Sequence, residues 1–168
     1  MFKKMGLLVV ALLLVLAACG DDDGGGALSA EEQAKADELK AELMADTSAS
    51  NPFTNEEDAA CFSEAVVRSF GLARINELNS AEGGAAGLAS LTDEEKSTMA
   101  DLALECVDFG AVIRTQIAAY PIPQDMVDCV VAGIDNDLLK TLFIAQMSGE
   151  DPATNPDLLA VVAACATP

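Results

Sequence analysis

Histidine and tryptophan are missing from this 168-residue chain, tyrosine occurs once, and nine basic residues stand against 28 acidic ones. Each shortage closes a class of function. Without histidine there is no Ser-His or Cys-His nucleophile, the commonest general base is gone, and zinc loses a preferred ligand. A formal net charge of −19 leaves too few lysines and arginines to displace counterions from nucleic-acid phosphates or to dock on anionic lipid. No CxxC pair supports a thioredoxin-like centre or zinc, and no GxSxG, P-loop or GxGxxG element is present. Alternating apolar and polar runs, the mark of half-buried strands, are also absent.

The one long apolar run lies at the N-terminus. Lys3 and Lys4 precede Met5 to Ala18, 14 residues with no charge, which is the layout of a secretory signal. As a helix this run would reach about 21 Å, short of the ~30 Å hydrocarbon core of a bilayer. It closes on "LAAC", Leu16 to Cys19, which resembles the lipobox of bacterial lipoproteins. The resemblance implies cleavage before Cys19, diacylglycerol on its thiol and acylation of the new amino group. Residues 1–18 are then a signal peptide, and residues 19–28 are a lipidated cysteine followed by an acidic Gly/Asp tether. Several acyl chains hold a protein stably where one would not, so the expected location is the extracytoplasmic face of the cell membrane, lipid-anchored. "GDDDGGG", Gly20 to Gly26, has no apolar side chain to collapse onto a core. With Gly20 to Leu28 extended, the folded part can stand about 30 Å from Cys19. The mature chain keeps 7 basic and 28 acidic residues, a net charge of −21, and its length suits one domain.

Beyond the tether the signals are helical. Ser29 with Glu32, Thr54 with Glu57 and Thr92 with Glu95 fit the capping-box spacing, and Asn155 before Pro156 is a further helix start. The expected fold is all-α: a compact array of short kinked helices stapled by two disulfides. Residues 29–52 read as a loosely docked, charge-rich helical stalk and linker, and residues 53–168 as the disulfide-stapled helical domain. Within that domain a pattern recurs three times, in which a helix bearing a cysteine is followed by a break and a shorter apolar helix with one basic residue. The units carry Cys61, a break at Gly71, and Arg74; Cys106, a break near Asp108 to Gly110, and Arg114; Cys129, a break near Gly133 to Asn136, and Lys140. Divergent internal duplication would produce such a pattern. With their "LTDEE"-type helix starts, these spaced cysteines resemble small cysteine-containing lipoproteins of high-GC actinobacteria. That resemblance implies a class, not an activity.

With Cys19 lipidated, Cys61, Cys106, Cys129 and Cys165 remain, an even number in an oxidising compartment. Two disulfides are expected. In an antiparallel helical hairpin the start of one helix lies beside the end of the next, which favours Cys61 with Cys106 and Cys129 with Cys165. A kinked three-unit array would instead join Cys106 to Cys129 and leave Cys61 beside Cys165, so both pairings stay open.

Paired carboxylates could still serve as acid and base, and Glu56, Glu57, Asp58, Glu64, Asp101, Glu105 and Asp108 are the candidates. Nearly all sit where helix starts or solvated faces favour acids. "DPATNPD", Asp151 to Asp157, lacks the glycine and distal glutamate of an EF-hand loop and reads as a capped helix start; "DND", Asp135 to Asp137, reads as a cap. No catalytic role, cofactor or metal is expected. Two functions remain. One is a membrane-anchored helical interaction module that binds an envelope protein or polymer. The other is a carrier that encloses a small apolar or lipid ligand, although Phe53, Phe62, Phe70, Phe109, Phe143 and Tyr120 are about enough to fill one core with few to spare for a pocket.

Overall fold

A computed structural model describes residues 27–47, 51–80, 88, 90–118 and 120–166. Cys19, the signal segment and most of the tether lie outside the described residues. Seven α-helices follow one another: α1 (Ala30–Ala45), α2 (Glu56–Ser80), α3 (Asp93–Cys106), α4 (Phe109–Ile117), α5 (Gln124–Gly133), α6 (Asn136–Met147) and α7 (Pro156–Cys165), with a single 3-10 turn at Pro152–Thr154 before the last. The fold is all-helical, as expected.

Local chemistry sets the helix ends. At α1 the Ser29 hydroxyl accepts the Glu32 N–H (3.3 Å) while the Glu32 carboxylate accepts the Ser29 N–H (2.8 Å). These two bonds with Ser29 also hold the Glu32 carboxyl below its ordinary pKa. Thr92 and Glu95 form the same reciprocal pair at α3 (3.2 and 2.8 Å). The third box shifts by one residue from the expected Thr54 and Glu57. Asn55 accepts the Asp58 N–H at 2.9 Å, and its amide donates back to the Asp58 carboxylate at 2.8 Å, in keeping with asparagine's stronger N-cap preference over threonine.

All three expected breaks occur. Gly71 interrupts α2 with φ 69° and ψ 160°, a region open essentially to glycine alone. Asp108 ends the second break by capping α4 through the Ala111 N–H, and Asp135 ends the third by capping α6 through the Leu138 N–H. Asp151 and Asn155 likewise spend their side-chain oxygens on backbone N–H groups. Helix α6 stops at Gly149, φ 77°, where the Gly149 N–H donates to the Gln146 carbonyl and the Glu150 N–H to that of Ala145, the crossed pair of a Schellman stop.

Helix α1, expected as a loosely docked stalk, lies against α2. Ala36 is buried with Val66, Val67 and Ile75, and Leu28 and Leu39 pack on that cluster. A small residue at the seam lets the two backbones come close, so a charge-rich helix with few large apolar residues still docks. A second cluster joins Phe53, Ala59, Ala103, Val107 and Phe109, with Phe143 of α6 packed on it. The Phe109 and Phe143 rings meet edge to face with centroids 5.1 Å apart.

The basic residue of each recurring unit reaches a neighbouring unit. Arg74 grips Glu95 through two nitrogens (2.7 and 3.0 Å), Arg114 meets Asp128 (3.4 Å), and Lys140 meets Asp101 (2.6 Å). The disulfides are Cys61–Cys106, joining α2 to α3, and Cys129–Cys165, joining α5 to α7, with Cα separations of 5.6 and 5.8 Å. This is the hairpin pairing; the Cys106–Cys129 alternative is excluded. Cys106 and Cys165 are each the last residue of a helix, which brings them beside residues nearer the start of their partner helices.

Candidate functional site

A cleft of about 530 Å³ opens between α1, α2, α3 and α6. Its depth follows from the break at Gly71. Phe62 and Val66 line it from before the kink, and Ile75 and Leu78 from after it, so one helix supplies two walls. Met99 of α3 and Met147 of α6 add flexible apolar surface. Leu39 and Leu43 come from α1, and Phe53 and Phe62, with centroids 4.7 Å apart, pack at its side. The lining is predominantly hydrophobic, with a few polar groups, Glu42, Asp46, Asn79 and Gln146 among them. That size and composition are those of a small-molecule site.

The candidate carboxylates are not gathered there. Glu64 pairs with Arg68 (3.6 Å), Asp101 with Lys140, and Asp58 and Asp108 serve helix starts. Glu56, Glu57 and Glu105 are exposed, and none of the seven lines the cleft. Among the described residues no group of three or more cysteines or carboxylates is placed to hold a metal ion. The four cysteines named as a site are consumed in the two disulfides, and Cys19 lies outside the described residues.

No protein-family model matches this chain, and no curated protein or solved structure matches it either. The geometry alone therefore carries the functional argument.

A shallower depression, near Ser69, Phe70 and Thr98, is crossed by the Arg74–Glu95 pair. Arg74 also meets Glu77 (2.9 Å) and donates to the Ser90 carbonyl (3.3 Å). The Arg74 guanidinium, followed by the Thr92 N–H, lowers the Glu95 carboxyl from 4.5 to about 2, and Glu95 in turn pushes the Arg74 pKa upward. Every donor in this cluster is engaged in holding the second half of α2 to the start of α3. Its role is to fix one wall of the cleft.

Sequence reasoning missed the cleft because it set α1 aside. The signal was present: Ala36, Leu39 and Leu43 fall at i, i+3 and i+7, one face of a helix, whereas Met44 lies off that face and is exposed. The expected shortage of bulky residues was also mistaken in its premise. Leucine, methionine and valine form much of the wall, and Phe53, Phe62 and Phe143 both pack the core and line the opening.

Proposed function

We propose that the chain is a lipid-anchored extracytoplasmic binding protein without a catalytic role, held to the membrane through Cys19, whose helical domain carries a small apolar ligand. The observation that supports the carrier reading is the cleft of about 530 Å³ walled by α1, both halves of α2, α3 and α6. A cavity of that volume suits one small molecule, and its apolar lining rewards removal of ligand surface from water at about 25 cal/mol per Å². The acidic tether gives the domain reach from the bilayer toward its ligand.

Native mass spectrometry of the protein purified from its host tests this reading, with Leu39→Trp as a variant that fills the opening. The expected result is one small apolar adduct per wild-type chain and none on the variant. Absence of any adduct, together with failure of the wild type to bind a neutral fluorescent apolar probe, would remove the carrier reading. The anchor is tested separately by labelling with an alkyne fatty acid: Cys19→Ser is expected to lose the label, and equal labelling of both chains would contradict lipidation there.

The interaction-module reading has its own support in exposed apolar residues, among them Tyr120 (66 %) and Leu159 (54 %). Crosslinking on intact cells, compared between the wild type and Leu159→Asp, separates it from the carrier reading. A protein partner captured only by the wild type would favour it.

A further inference from the structure

The cleft is apolar within and acidic at its edge. Along α1, Leu39, Glu42, Leu43 and Asp46 fall at i, i+3, i+4 and i+7 and all line it. Apolar contacts thus give way to carboxylates over ~10 Å of helix. The same end of α1 carries the negative pole of the helix dipole, and its last turn has no basic residue to answer it. Among the described residues no lysine or arginine lines the cleft, and the sequence stretches next to its lining residues, 48–50 and 81–87, contain none. An anionic head group would therefore enter beside two carboxylates and a helix C-terminus without a counter-charge. A cationic one would meet attraction from all three.

We propose that the cleft selects its ligand by head-group charge: it takes an amphiphile with an apolar tail and a cationic amine or quaternary ammonium head. This rests on the carrier reading and adds the chemistry of the head group. The tail lies between Leu43, Val66, Ile75 and Met99, and the head sits at Glu42 and Asp46. Glu42 is the residue that sets the preference, since it lies on the lining face of α1 between the apolar wall and the helix end.

The test titrates dodecyltrimethylammonium, dodecanol and dodecanoate, each below its micelle concentration, into the mature chain carrying Cys19→Ser, and reads displacement of a neutral fluorescent probe. The ammonium is expected to bind about two- to fivefold tighter than the alcohol, the carboxylate weakest, with the gap closing as salt is raised. Glu42→Gln should erase the preference while leaving the alcohol's affinity unchanged. Glu105→Gln, which removes an exposed charge of α3 outside the cleft, should leave the preference intact and so separates a local effect from the pull of the whole acidic molecule. Dodecanoate binding as tightly as the ammonium would overturn the proposal, as would equal responses of the two variants, while the alcohol's binding would leave the carrier reading standing. If none of the three displaces the probe, the carrier reading falls and the head-group inference with it.

Discussion

Helices α1, α2, α3 and α6 are held by burial, whereas α5 and α7 are held by a covalent staple. The first group contributes Ala36, Ala59, Val66, Val67, Ile75, Ala100, Ala103 and Met147 to the interior, while α5 contributes only Val127 and α7 nothing. The contrast does not follow composition. Helix α7, "PDLLAVVAAC", carries a single charge, yet Leu159 and Val162 are exposed. What α7 has instead is Cys165 bonded to Cys129, and Val161 against Gly133, where an added Cβ would stand 2.7 Å from a Val161 methyl carbon. A region too small to assemble a core can be kept in place by a disulfide. The region that does assemble one can leave space inside it for a cleft.

The largest expected effect that sharpens this contrast comes from Cys61→Ala with Cys106→Ala. Opening the 45-residue separation should cost about 4 kcal/mol on the chain-entropy estimate, read as a drop in the urea midpoint. Because α2 and α3 also share buried contacts, the unfolding transition should remain single. Two separated transitions would show that burial does not unite these helices.

Gly71→Ala comes next, at about 2 kcal/mol. Nothing lies within 4 Å of the added Cβ, so the cost is one of backbone conformation, and it should be accompanied by weaker binding of an apolar probe as the cleft walls shift. Unchanged stability and binding would mean that the kink does not shape the cleft.

A smaller effect concerns pH. The Glu95 carboxyl has a folded pKa of about 2 against an ordinary 4.5, so its contribution is fully present above about pH 4.5 and is lost as pH falls toward 2. Protonation of the many other acids relieves self-repulsion over the same range, so the quantity to follow is the difference in melting temperature between the wild type and Glu95→Gln. That difference should favour the wild type at neutral pH and shrink on acidification. A difference independent of pH would show that the Arg74 pair does not act through charge. The smallest effect is Leu159→Ala, within about 0.5 kcal/mol, whose exposed side chain gives up little on truncation.

Local rules carried far in this chain. The capping boxes at Ser29 and Thr92, the breaks at Gly71, Asp108 and Asp135, and the pairing of Cys61 with Cys106 were legible because each depends on a few neighbouring residues or on hairpin geometry. The shift from Thr54 to Asn55 arose where two good caps stand side by side and a single residue decides. The docking of α1 and the cleft beneath it were not legible in the same way. Ala36 is too small to register as a core residue until its partners Val66 and Val67 are known. The cleft depends on four helices far apart in sequence, which no local periodicity specifies.

The central claim is that burial holds the cleft-bearing helices while the Cys129–Cys165 bond holds α7. Hydrogen exchange on Cys129→Ala with Cys165→Ala, resolved by segment, tests it most directly. Residues 156–165 should exchange near the unprotected rate while amides of α2 and α3 keep their protection and the apolar probe still binds. Loss of protection through α2 and α3 together with α7 would contradict the account.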